Sequence, residues 1–78
     1  MKGLIANELS KLGFKLNLYD VDKDGYAHIV TATHIKSGVS FSRHVRSNIL
    51  KDCATEADKA KMIAAKVKDI ALGMGFEV

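Results

Sequence analysis

The sequence predicts an α+β fold, a two-layer sandwich in which two helices cover one face of a three-stranded antiparallel sheet. Apolar residues recur at helical spacing near both ends of the chain, alternating and β-branched segments fill its middle, and glycine-containing turns separate them. With 78 residues, 47% of them hydrophobic and 27% charged, the composition is that of one globular domain over residues 1–78.

The first helix is predicted over residues 2–12. Its apolar residues have helical spacing, and Gly13 follows as a C-terminal stop. Directly after it, Phe14, Leu16 and Leu18 alternate with polar residues, which indicates a half-buried strand over residues 14–21.

Two further strands follow. Asp22-Lys23-Asp24-Gly25 is typical of a hairpin turn and precedes a β-branched strand over residues 29–35. A second turn at residues 36–38 leads to an alternating segment over residues 39–46, the third strand.

The last helix is the most strongly patterned element. Residues 48–54 have no clear period, Thr55 is a candidate N-cap, and the helix is predicted to run to about Leu72. Residues 76–78 are a candidate short fourth strand. One apolar stripe follows the helix, and it consists of Ala60, Ile63, Ala64, Val67, Ile70, Ala71 and Met74.

This stripe should pack against one face of the sheet, with Met62 on the opposite, exposed side of the helix. The expected sheet partners are Phe14, Leu16, Leu18, Ile29, Ile35, Val39 and Phe41. The other sheet face should stay open and carry Tyr19, His28, His34 and Arg46.

Charge and cysteine content narrow the class of protein. The net charge is +3 with a pI of 9.1, which suits nucleic acid or an acidic protein surface as partner. Cys53 is the single cysteine, so no intramolecular disulfide forms and a reducing, cytoplasmic location is expected. No segment has the roughly 18 apolar residues of a membrane helix, and residues 1–12 do not resemble a signal peptide. Because so small a core gives limited stability, a homodimer is an open alternative to a monomer.

Six basic residues form the candidate nucleic-acid site, from the third strand and from both borders of the last helix. They are Arg43, Arg46, Lys59, Lys61, Lys66 and Lys68. The alternative is structural, because flanking lysines commonly lay their stems over the edge of a core and keep the charge in water.

No catalytic, metal or cofactor site is predicted. Asp20, Asp22, Asp24 and Gly25 match the first half of a calcium loop, but Thr31 stands where the bidentate glutamate is needed. The three histidines lack a fourth ligand at a telling spacing, and no serine or threonine is marked as a nucleophile. A reactive Cys53 before the last helix remains an alternative to a structural thiol.

Two short motifs resemble the double-stranded RNA-binding domain, whose order of elements is also helix, three strands, helix. Residues 25–28, Gly-Tyr-Ala-His, are similar to that family's Gly-Pro-x-His loop, and residues 60–65, Ala-Lys-Met-Ile-Ala-Ala, are similar to its Ala-Lys-x-x-Ala-Ala helix. The resemblance implies duplex RNA as partner. Where the family has two more lysines, this chain has Ala57 and Asp58.

Two functional hypotheses follow. The first is a small non-enzymatic module that binds nucleic acid through a basic helix and strand surface. The second is a small protein-interaction, inhibitor or accessory factor, for example from a phage or other compact genome, that binds a host or partner protein. An enzyme is the third alternative, with His28 as general base by analogy with toxin ribonucleases of similar fold.

Overall fold

In the computed structural model, which describes residues 1–76, the chain forms two helices and a three-stranded antiparallel sheet. The elements are α1 (Lys2–Lys11), β1 (Phe14–Val21), β2 (Ala27–His34), β3 (Val39–Arg46), a 3-10 turn (Ser47–Leu50) and α2 (Glu56–Gly73). The predicted α+β class and element order are confirmed.

The boundaries follow from local chemistry. Thr55 is the N-cap of α2, because its hydroxyl accepts a hydrogen bond from the Asp58 amide at 3.1 Å. The β1–β2 turn needs glycine, since Gly25 adopts a φ of 74°. β2 begins two residues earlier than predicted, and the unassigned segment forms the 3-10 turn. The candidate fourth strand falls largely on Glu77 and Val78, which lie outside the described residues.

The sheet has the strand order β1-β2-β3, so β1 and β3 are both edge strands. β3 pairs regularly with β2, from Ala27 opposite Arg46 to His34 opposite Val39. β1 carries an irregularity between Leu16 and Leu18. Both helices begin near the β1–β2 turn. Met1 and Glu56, from the two helix starts, line one hollow together with Gly25 of that turn.

The core lies between the helices and one face of the sheet. On α2, every predicted stripe residue from Ala60 to Val67 and also Ala71 is buried, while Met62 is 43% exposed, as predicted. Ile70 is half-buried, and Met74 lies past the helix end and is exposed. The buried apolar residues are Ile5, Leu9, Phe14, Val30, Ala32, Phe41, Val45, Leu50, Ala60, Ile63, Ala64, Val67 and Ala71.

The structure corrects the predicted faces of β1 and β2. Leu18 is 50% exposed, because the bulge after Leu16 turns it to the open face and turns Tyr19 inward. The predicted phase of β2 is wrong, because Val30 and Ala32 are buried and Ile29 is not. Apolar residues lie on both faces of β2, so its alternation fits either phase. Ile35 falls in the turn after β2 and is 58% exposed.

The bulge in β1 and the phase of β2 place three residues on the helix-covered face that were predicted on the open face. These are Tyr19, His28 and His34, and only Arg46 lies on the open face as predicted. Val39 is on the helix side but near the sheet end, where it is 46% exposed.

None of the helices within residues 1–76 is both long and apolar enough to cross a membrane.

Candidate nucleic-acid interface

The β2–β3 hairpin and its flanks form a stretch of chain without carboxylates. Residues 25–51 contain four lysines and arginines, all three histidines and no aspartate or glutamate. The other 51 residues carry eight basic and nine acidic side chains. The positive net charge of the protein therefore resides in this part of the chain, which includes β3, an edge strand of the sheet formed by residues 1–76.

Arg43 lies on the helix side of β3, opposite Val30. Its guanidinium donates to the Ser42 carbonyl at 2.7 Å and contacts the Met74 sulfur at 3.2 Å. Among residues 1–76 it forms no ion pair. The side chain is thus positioned by neutral partners, and its charge is available to an anion.

Arg46 lies on the other side of β3, opposite Ala27 on the open face. This face also presents a row of hydroxyl groups. The Thr31 hydroxyl donates a hydrogen bond to the Ser42 hydroxyl at 3.1 Å, and the Thr33 and Ser40 hydroxyls are hydrogen bonded at 2.8 Å. Alternate backbone amides of an edge strand also point to solvent. β3 therefore offers arginine, hydroxyl and amide donors along one edge.

The four predicted lysines of α2 are placed less favourably. Lys59 pairs with Glu56 at 3.4 Å, and Lys61, Lys66 and Lys68 follow along the two borders of the buried stripe. By their helical angles, the exposed Asp58 and Asp69 lie between the two lysine rows. The six predicted residues consequently lie in four places: the helix side of β3, the open face, and two separate rows of α2.

A tyrosine–histidine pair lies where α2 begins above the sheet. The Tyr19 hydroxyl and His28 Nδ1 are 2.6 Å apart, and the two rings stack at 5.8 Å. The pair borders a hollow of about 520 Å³ that also involves Met1, Gly25, Glu56 and Lys59. This geometry gives His28 a structural role in closing the sheet end, and its candidate role as a general base stays a prediction.

Both side chains have shifted pKa values. Burial, and then the positive charge of Lys59, lower the pKa of His28, while the Asp22 carboxylate acts in the opposite direction. Burial, and then the negative charges of Glu56 and Asp20, raise the pKa of Tyr19. Because the unfolded chain protonates His28 more readily, the stability contributed by neutral His28 is fully present above pH 6.5 and decreases as the pH falls through its folded-state pKa.

Replacing Lys59 by methionine should raise the pKa of His28 toward its ordinary value. The substitution removes the positive charge and keeps a side chain of similar length, so the contribution of burial remains. NMR titration of the imidazole protons measures the change. Lys66→Met, two helical turns further on, is the control and should leave His28 unchanged; a lower pKa in Lys59→Met would contradict the assignment.

The carboxylates of the calcium-like sequence have other roles here. Asp22 accepts a hydrogen bond from the Tyr26 amide at 2.9 Å, and Asp20 accepts one from the Val21 amide at 2.8 Å. Among residues 1–76 no group of three His, Cys, Asp or Glu side chains is arranged to hold a metal ion. Cys53 is a free, half-buried thiol.

Two residues that sequence analysis missed lie beside Arg46. Tyr26 and Asn48, together with Ala27 and Arg46, line a hollow of about 380 Å³, the Tyr26 pocket. The pattern that would have indicated them is the carboxylate-free stretch, which contains all four residues.

A further hollow lies at the opposite end, between the C-terminal ends of the helices. It has a volume of about 750 Å³ and is mainly apolar. Ile35 and Leu72, both about half exposed, and Phe76 contribute to it. His34 borders it, stacked on Phe76 at 4.8 Å and hydrogen bonded to Ser37 at 2.7 Å.

Comparison with known proteins adds no relative to this description. No protein-family model, no curated protein and no solved structure gives a significant match to the chain.

Proposed function

We propose that this protein is a small nucleic-acid-binding module whose contact surface is the β3 edge with the adjoining open face. The observation that carries the proposal is the carboxylate-free β2–β3 stretch, which presents Arg43 and Arg46 without an ion pair among residues 1–76. Polyanion backbones bind such surfaces through charge neutralisation and counterion release.

The six predicted residues contribute unequally to this contact surface. Arg43 and Arg46 carry the main contacts, because no carboxylate lies on their strand. The lysine rows of α2 act at longer range, since Glu56, Asp58 and Asp69 offset their charge. Duplex RNA, the partner implied by the family resemblance, is one of the ligands to test.

Fluorescence anisotropy with labelled duplex RNA, duplex DNA and single strands tests this function. With two to four phosphate contacts, the affinity for a single strand should fall by about 7-fold to 50-fold between 50 and 200 mM salt. Absence of salt-dependent binding at tens of micromolar protein would overturn the proposal.

The apolar hollow between the helix ends favours a second candidate function, protein binding. Exposed Ile35 and Leu72 at one concave surface are typical of an interaction site. Absence of nucleic-acid binding, together with a stoichiometric protein partner in a native pull-down, would favour this second function.

A further inference from the structure

The Tyr26 pocket lies at the corner where the β1–β2 turn meets the end of β3. Tyr26 is 76% exposed, the most exposed large hydrophobic side chain among residues 1–76. Ala27 and Arg46 are cross-strand partners, so the short alanine side chain leaves space beside the arginine. Asn48, from the 3-10 turn, completes the lining.

The backbone around Tyr26 is held in place from both sides. Its amide donates to the Asp22 carboxylate at 2.9 Å, and its carbonyl accepts from the Ser47 amide at 2.8 Å. The Ser47 hydroxyl also donates to the Gly25 carbonyl at 2.6 Å. The turn therefore presents the tyrosine from a fixed position, and this lowers the entropy that a ligand must overcome on binding.

The functional groups of the pocket are unused within the described chain. Among residues 1–76, the side chains of Tyr26, Arg46 and Asn48 form no hydrogen bond or ion pair. Together they provide an aromatic face, a planar cation and an amide that both donates and accepts. An aromatic face stacks on a nucleobase, a guanidinium binds phosphate, and an amide matches the polar edge of a base.

We propose that the Tyr26 pocket binds one unpaired nucleobase of a single-stranded nucleic acid, with the base stacked on Tyr26 and its phosphate at Arg46. This inference rests on the proposed function and adds the form of nucleic acid that the protein selects. Each base inside a duplex already stacks on neighbouring bases on both faces, so only an unpaired base can stack on the Tyr26 ring. The hollow of about 380 Å³ is within the size range of small-ligand pockets.

Anisotropy with a 12-nucleotide single strand and with the same strand carrying abasic sites separates base contacts from phosphate contacts. The wild-type protein should bind the intact strand about fivefold to 150-fold more tightly than the abasic strand. Tyr26→Ala should remove this difference and leave duplex binding unchanged, while Tyr26→Phe, which keeps an aromatic ring, should retain it.

Each outcome of this comparison decides one of the two proposals. Salt-dependent binding with equal affinity for the intact and abasic strands would overturn the base pocket and leave the β3 surface standing. If the wild-type protein binds no nucleic acid, the proposed function itself is overturned. Retention of the difference in Tyr26→Ala would place the base contact elsewhere.

Tyrosine fluorescence gives a direct readout, because the chain has two tyrosines and no tryptophan. In Tyr19→Phe the emission comes from Tyr26 alone, and saturation with the unlabelled single strand should quench it. In Tyr26→Phe the emission comes from Tyr19 alone and should change little. Quenching of Tyr19 with no effect on Tyr26 would contradict stacking in the pocket.

Discussion

Ile63→Ala should lower the free energy of unfolding by about 2 to 5 kcal/mol. Ile63 is fully buried at the centre of the α2 stripe, so the substitution removes apolar contacts and leaves a cavity. In a domain of 78 residues this loss approaches the whole stability. Urea unfolding followed by circular dichroism measures it.

Met62→Ala is the matched control, one residue away on the same helix. Met62 is 43% exposed, and its replacement should change the free energy of unfolding by no more than about 0.5 kcal/mol. Equal destabilisation of the two variants, or the reverse order, would contradict the assigned phase of the helix and the lysine rows that depend on it.

Replacing Arg43 and Arg46 together by glutamine should weaken nucleic-acid binding about tenfold or more at low salt. Each arginine lies on the β3 edge without an ion pair among residues 1–76, so both charges are available for phosphate contacts. Losing two such contacts should also reduce the slope of log affinity against log salt by about 1.4 for a single strand. Anisotropy titrations between 50 and 200 mM salt measure both quantities.

Lys61→Gln together with Lys68→Gln is the control of equal net charge. These lysines lie in one row of α2 beside exposed carboxylates, so their loss should weaken binding less and change the salt slope little. An equal loss in both double variants would show that binding follows net charge alone and would contradict a β3 contact surface. Circular dichroism confirms that all variants are folded.

Parts of the candidate site could be predicted from sequence, and others could not. The strand pattern and the positive charges predict Arg43 and Arg46, and both lie on the β3 edge. They lie on opposite faces because they are three positions apart, and side chains an odd number of positions apart in a strand point to opposite faces. No local pattern predicts Tyr26 and Asn48, since their proximity depends on the position of the 3-10 turn beside the hairpin.

The amino-acid sequence by itself determined the elements of this protein. Helical spacing and the Thr55 cap gave α2 and its buried face, because a stripe such as Ile63 and Val67 has only one orientation that removes it from water. The order of the charged residues likewise determined that the net positive charge lies in residues 25–51.

Only the tertiary structure decided which side of each strand faces the helices. Ile29 and Val30 are equally apolar neighbours, so the pattern of β2 admits two phases, and pairing with β1 and β3 selects the one that buries Val30. The bulge in β1 then reverses Leu18 and Tyr19, which no alternating pattern shows. The inward position of Tyr19 and His28, and the pocket beside Tyr26, follow from these long-range pairings, since strand register is set by partners distant in the chain.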